Sequence, residues 1–535
     1  MVRLQQCVRK TLSFFLVGVA CHAATAIAQK YLPDDPISKV PEVGSAQNAK
    51  VQSINALYDF LYHSTKYKTP PATPSLGINT LGEVPDSSWF TNRPPLSIEE
   101  MRNGARIHGG PQPPFTVVAA KTEGVTPGFR LKDGRGLTYF VKVDPRQNVE
   151  MGSAADVMGA LFLYAAGYNV PENYIVLARR EDLRLSEKAT ITGPSGKKYS
   201  LTKAQFEKIL DQVPIESNGR VRLMASLTVS GRIIGPFRYE YTRSDDPNDL
   251  IPHNRRRDLR GLDVLFAWLN HTDAKGENSL DSVVGKGPDA RIVHHLLDFN
   301  DSFGSDSNIA KDPRHGQEFW LPTSREQANR ALTFGFVPTT WETAKYPHHL
   351  PAVGNFTATG FDPLTWKPNY PNPAFLEMTP QDAYWGAKRV MSFSNEDIRA
   401  IVEEGQFSNP EASDYITKVL ITRRDLIGKA WFSQVAPLED FTIAGGRLHY
   451  TDLGQKYGVL PAEDYKYSWF SFDDSSGSPV MPADGSTNAV PPSLADGHFL
   501  GCALTDAKES RRSVTVIFTK QDSQWKLVGI ERKSI

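Results

Sequence analysis

The apolar pattern of this chain changes its period near Arg255, and that change limits the possible folds more than any other feature. Upstream, short runs alternate apolar and polar residues as half-buried strands do: Phe115–Ala120, Phe129–Lys132, Leu137–Val143, Tyr174–Ala178 and Arg222–Val229. Asp133-Gly134, between the second and third runs, is a hairpin turn signal. One helix interrupts them. Val157, Met158, Leu161, Phe162 and Ala165 share a face over Ser153–Ala166, Gly167 fits the C-terminal cap, and Pro171 lies just beyond. Downstream, Leu259, Leu262, Leu265, Phe266 and Leu269 recur at helical spacing, followed by a polar loop and a strand over Arg291–Leu297. Further helices are predicted over Thr379–Met391, Asn395–Gly405 and Ser413–Phe432. Past Val435 alternation returns at Ser513–Phe518 and Trp525–Ile530, around a Gly-, Ser-, Pro- and Asp-rich loop at Asp473–Asp496. The chain therefore reads as α+β: a strand-rich block at 115–250, a helical block at 251–434 and a small β domain at 435–535, expected to be a sandwich.

The N-terminal part is of another kind. Arg3, Arg9 and Lys10 precede an apolar stretch at Thr11–Ala20, too short to span a bilayer, and Ala26-Ile27-Ala28 offers small residues for cleavage. Residues 1–28 are thus expected to be a signal peptide, with a mature chain starting at Gln29 and a secreted or periplasmic location. No later run of eighteen apolar residues suggests a membrane span after signal removal. Cys7 and Cys21 fall in the signal, so Cys502 remains alone and core packing, not a disulfide, must stabilise the protein. Residues 29–114 are proline-rich and read as an extension over the next domain. A short helix is predicted at Ala49–His63, with Val51, Ile54, Leu57, Tyr58 and Leu61 on one face and Asn48 as its cap. Lys plus Arg number 60 and Asp plus Glu 60, which gives no electrostatic case for a nucleic-acid partner.

The chemistry concentrates between the amphipathic helix and the strand after it. That loop reads His271-Thr-Asp273-Ala-Lys275-Gly-Glu-Asn278, and the strand leads into Leu297-Asp298-Phe299-Asn300-Asp-Ser-Phe-Gly304. The first string resembles the protein-kinase catalytic loop, matching its His, Asp, Lys and Asn, with Thr272 in place of an arginine. The second resembles the kinase Asp-Phe-Gly motif, with Asn300 for the glycine, and looks more like the atypical kinases of the HipA, CotH and Fam20 types. Upstream, Tyr139-Phe-Val-Lys142-Val resembles the kinase strand whose lysine grips nucleotide phosphates, and Gly124 and Gly128 lie where kinases fold a glycine loop over them.

The resemblance implies a two-lobed protein-kinase-like fold with an N-terminal extension and a small C-terminal β domain. It implies ATP and Mg2+ as well. Phosphoryl transfer asks the protein to position and neutralise. Asp273 would take the proton of the attacking hydroxyl, Lys275 would steady the transferred group, and Asn278 and Asp298 would hold the metal. Lys142 would bind phosphate and needs a carboxylate on the following helix; Glu150 and Asp156 are both candidates, although Ser153 with Asp156 also reads as a capping box. The expected function is an exported atypical kinase, or a related ATP-dependent phosphoryl or nucleotidyl transferase, acting on a protein, lipid or glycan acceptor. The alternative is a catalytically silent kinase-fold scaffold or envelope-binding protein. No Ala-Pro-Glu segment follows Asp298, which speaks against a typical eukaryotic kinase. The basic stretch 253–260 reads as a solvated helix start. The pairs His294-His295 and His348-His349 argue poorly for zinc, because adjacent strand residues face opposite ways.

Overall fold

A computed structural model describes residues 31, 37–66, 71, 73–120, 128–193, 197–215, 219–322, 332, 341–473, 478–483 and 486–535. The signal-peptide assignment and Gly124 lie outside these residues. The chain is mixed α/β, with three larger sheets separated by helices.

Helices α1 (Ala56–Thr65) and α2 (Ile98–Asn103) precede β1 (Phe115–Ala120), β2 (Gly128–Lys132) and β3 (Thr138–Val143). Helix α3 (Met151–Ala166) comes next, then β4 (Asn173–Arg179), β5 (Leu183–Thr192), β6 (Lys198–Ser200), α4 (Lys203–Leu210) and β7 (Arg220–Leu227). These strands make one sheet in the order β4-β7-β3-β2-β1-β5-β6, in which only β1 and β5 pair in parallel. The two-residue alternation decides what each face carries. Tyr139, Val141 and Val143 of β3 join Phe206 and Leu210 of α4 in one apolar core, so Phe140 and Lys142 fall on the other face.

A second sheet is built from β8 (Arg232–Gly235), β9 (Ser279–Val284) and β10 (Arg291–Leu296), with β9 in the middle. Helix α5 (Arg257–Leu269) enters the loop that precedes β9. Two short strands, β11 (Ser305–Asp306) and β12 (Ile309–Ala310), pair after β10. Helices α6 (Pro373–Leu376), α7 (Pro380–Met391), α8 (Asn395–Glu403) and α9 (Pro410–Phe432) then pack with α3 and α5 around the largest apolar cluster, which includes Phe162, Leu262, Trp268, Trp385 and Phe432.

The C-terminal part has a hairpin of β13 (Leu438–Ala444) and β14 (Arg447–Asp452), a short α10 (Leu453–Lys456), and strands β15 (Tyr465–Asp473), β16 (Ser478–Ala483), β17 (Phe499–Asp506), β18 (Ser513–Gln521) and β19 (Gln524–Lys533). The last five form one antiparallel sheet, in the order β16-β15-β17-β18-β19. Leu438, Phe441 and Leu448 of the hairpin cover its Trp469, Leu500 and Val516. One sheet with a two-stranded cover is less than the expected sandwich. Strand β16 also occupies part of what reads as loop, because proline and glycine content hides an edge strand. Tyr31, from the far end of the chain, packs against Ile517 and Val528 and donates to Glu531 Oε1 at 3.0 Å.

Three other expectations need correction. Helix α1 begins at Ala56, capped by Asn55, because Gln52 N–H is taken by Ile234 of β8 and holds the preceding residues extended. Its apolar residues Leu57 and Tyr58 are exposed, while Asp59 and His63 are buried. The capping box at Ser153 does not form. Helix α3 starts earlier, and Ser153 N–H and Oγ both donate to Asp144, at 2.7 and 2.5 Å. The basic stretch 253–260 is not solvated: Arg256 pairs with Asp258, Arg257 with Asp382, and Arg260, wholly buried, with Glu377 and Asp382.

Candidate functional site

Strand register brings the two motif loops together. Ser279 of β9 lies opposite Leu296 of β10, and Leu297 N–H donates to Asn278 O at 2.9 Å. Asn278 and Asp298 therefore leave the same end of one ladder. The loop before β9 starts where α5 ends, at Asn270 in the left-handed conformation that asparagine tolerates. Within it, Asn278 Nδ2 donates to both the carbonyl and Oδ2 of Asp273 at 2.9 Å, and Lys275 Nζ lies 2.7 Å from the same Oδ2. Burial would lower the Lys275 ammonium, but Asp273 beside it, with a further contribution from Asp298, holds it above its ordinary value. His271 is different in kind. It is buried, with Nδ1 3.0 Å from Ser302 Oγ, and burial drives it down to about 4, so it is neutral near pH 7.

Lys142 reaches this point from the seven-stranded sheet. Its Nζ donates to Asp156 Oδ2 at 2.8 Å and to Asp298 Oδ1 at 2.5 Å. Burial alone would strip its charge; Asp156 and Asp298 together outweigh that and hold the ammonium above its usual range. Burial pushes the Asp156 carboxyl up, against Lys142 and against the Phe299 N–H that donates to Asp156 Oδ1 at 2.8 Å. Of the two helix carboxylates, then, Asp156 contacts Lys142. Glu150 instead opens α3 in a left-handed conformation and accepts from Ser408 N–H at 3.0 Å. Gly128 begins β2 directly opposite Lys142.

Asp298 is held in place through its neighbour Phe299. Asp298 takes a φ of 61°, and Phe299 then turns back onto α3. Gly159 makes that approach possible, since a Cβ there would stand 2.5 Å from Phe299 Cβ. The side chain of Asp298 remains 39 % exposed and lines a cleft of about 460 Å³. Lys142 and Asp156 line it too, with Phe140, Met224, Ile233 and Leu280 as apolar wall. A deep slot with an apolar wall and a charged end is the form of a small-molecule site.

Sequence reasoning missed the residues behind the loop. Thr272, which replaces the arginine of the resembling motif, is fully buried and donates from Oγ1 to Asp301 Oδ2 at 3.0 Å. Lys311, only 1 % exposed, donates to Thr272 Oγ1 at 2.7 Å, to Asp301 O at 3.1 Å and to Asp301 Oδ1. Asp301 sits within the Leu297–Gly304 string, but nothing marks Lys311, which lies after a turn-rich stretch. The paired histidines serve the fold. His294 stacks on Trp89 and meets Asp281 at 2.7 Å, His295 faces Leu280 O and is lowered to about 4 by burial, and His349 meets Glu411.

No protein-family model matches the chain, and no curated protein does. Among solved structures it is similar to the Helicobacter pylori proinflammatory kinase CtkA, at 10% identity and a TM-score of 0.30, over 58% of this chain and 95% of that one. It is also similar to the Golgi casein kinase with Mn/ADP bound, at 8% identity and a TM-score of 0.27, over 62% of this chain and 73% of that one.

Proposed function

We propose that the chain is an exported atypical kinase, or a related phosphoryl or nucleotidyl transferase, with a protein-kinase-like two-lobed fold and ATP as donor. The observation that carries the reading is the placement of Lys142. One ammonium is shared between Asp156 of α3 and Asp298 at the mouth of an apolar-walled cleft. Asn278 and Asp273 lie at the same end of the β9–β10 ladder as Asp298.

Each side chain then has a task. The apolar wall of Met224, Ile233 and Leu280 receives the base. Lys142, kept cationic by its two aspartates, takes phosphate oxygens in exchange for part of its hold on Asp298. Asp273 accepts the proton of the acceptor hydroxyl, and Asn278 fixes its carboxylate for that purpose. Lys275 faces the transferred group with its charge intact. The donor set suits a magnesium ion, held by an Asp298 oxygen and the Asn278 amide oxygen, whose nitrogen is spent on Asp273. Bound there, the ion would neutralise phosphate charge. Phosphate oxygens and water would complete its coordination.

Two variants test the division of labour. Asp273→Ala is expected to keep Mg-ATP affinity and lose about two to four orders of magnitude in turnover, the usual worth of a positioned general base. Asp298→Ala is expected to weaken Mg-ATP binding itself. Calorimetry on both, with γ-phosphate transfer into an extract of secreted and envelope proteins, distinguishes them. Equal Mg-ATP affinity in wild type and Asp298→Ala would remove Asp298 as a metal ligand, and absence of nucleotide binding altogether would favour a silent scaffold.

A further inference from the structure

We propose that Thr272, Asp301 and Lys311 form a positioning element that fixes the catalytic loop against the segment after Asp298, and so sets where Asp273 points. The inference rests on the kinase-like reading. It concerns residues that touch neither nucleotide nor acceptor.

The geometry is that of a closed ring. A lysine ammonium has three N–H donors. All three are used, on Thr272 Oγ1, Asp301 O and Asp301 Oδ1. Thr272 Oγ1 closes the ring by donating its own proton to Asp301 Oδ2. Every member is nine-tenths buried or more, so water does not compete. The neighbours extend the same hold. Asn369 N–H donates to Thr272 O at 2.8 Å, Phe303 N–H to Leu269 O at 2.9 Å, and Asn355 Nδ2 to Lys311 O at 2.7 Å. Thr272 is thereby fixed by side chain and carbonyl, and Asp273 is the next residue. Asp301 lies only three positions after Asp298, so one rigid ring references both loops to each other.

Magnitudes favour positioning over stability as the reason for this ring. Burying a lysine and an aspartate costs several kcal/mol per ion, and an apolar filling of similar volume is often as stable or more so. What an apolar filling lacks is direction. The ring has one arrangement that satisfies its donors and acceptors, and it therefore specifies a loop geometry.

The test uses the full mature chain with Mg-ATP. Thr272→Val keeps shape and removes the hydroxyl, while Thr272→Ser restores both donor and acceptor. Thr272→Val is expected to lower kcat about ten- to a hundredfold, the scale of a misplaced reacting group. Its KM for ATP and its calorimetric Mg-ATP affinity are expected to stay at the wild-type values, and Thr272→Ser to recover most of kcat. An unchanged kcat in Thr272→Val overturns the inference. So does a loss shared equally by kcat and nucleotide affinity, which a merely structural role would produce. If wild type itself transfers no phosphate, the kinase reading fails separately, and hydrogen exchange decides the ring. Faster exchange over residues 269–275 in Thr272→Val supports it; unchanged exchange overturns it.

Discussion

Lys142, half-buried, and Lys311, buried, both meet aspartates of one short stretch, 298–301, yet under opposite conditions. Lys142 shares its charge with Asp298, whose side chain is 39 % exposed and faces the cleft. Lys311 is spent entirely inside the protein, on Thr272 and Asp301. The first pair can exchange a protein partner for a ligand at small cost, because water already reaches one side of it. The second cannot exchange anything without leaving a buried charge. The same two residue types thus serve for responsiveness in one place and for rigidity three residues away.

The largest expected effect tests the sealed side. Asp301→Asn leaves Lys311 buried without its counter-charge and is expected to cost about 3–5 kcal/mol of stability, whereas Asp298→Asn costs less because Asp298 is partly hydrated and Lys142 keeps Asp156. Urea unfolding of both variants checks this. Equal losses would erase the contrast between the two pairs.

Acid should act on the same sealed side, through His271. Burial lowers it to about 4 in the folded protein, against about 6.5 for an unperturbed histidine. It stays neutral when folded and takes up a proton when unfolded. Its contribution is therefore complete above about pH 6.5 and is lost as pH falls toward 4, by about 3 kcal/mol in all. Asp301, raised by burial against the pull of Lys311, works in the opposite sense. The difference between wild type and His271→Gln isolates the histidine. Denaturation at pH 7 and 4.5 should show a shallower pH dependence in the variant, and parallel curves would contradict the assignment.

The smallest effect sharpens the open side. Glu150→Gln turns the charge-assisted bond from Ser408 N–H into a neutral one and should cost about 1 kcal/mol, with Mg-ATP affinity unchanged. A fall in nucleotide affinity would give Glu150 a share in Lys142 that its contacts do not suggest.

The contrast also explains which parts of the molecule are legible in the sequence. The strand signals mark β1, β2, β3, β4 and β7 to within about two residues, through alternation in β2 and β3 and through β-forming apolar content in the others. The helices α5, α7, α8 and α9 are clear for the corresponding reason. Strands β5, β6 and β9 escape notice because half-exposed or wholly buried positions break the alternation, as in the run Leu183–Thr192. The loop holding Asp273, Lys275 and Asn278 can be read because its chemistry needs those residue types at fixed spacing. The choice of Asp156 over Glu150 cannot, since both lie near the start of α3 and only the left-handed turn at Glu150 separates them. Lys311 has no local signal at all. Its partners come from elsewhere in the chain, and one buried lysine looks like any other until they arrive.

Tyr31 carries one more consequence. Its ring sits where Gly529 leaves room, since a Cβ at Gly529 would lie 2.4 Å from Tyr31 Cε1, and its other neighbours include Ile517 and Val528. That seat does not exist until β19 has been made. During synthesis Tyr31 must wait for β19 before this seat exists, and a product lacking β19 would lose the packing at Gly529 and Val528 and the bond to Glu531.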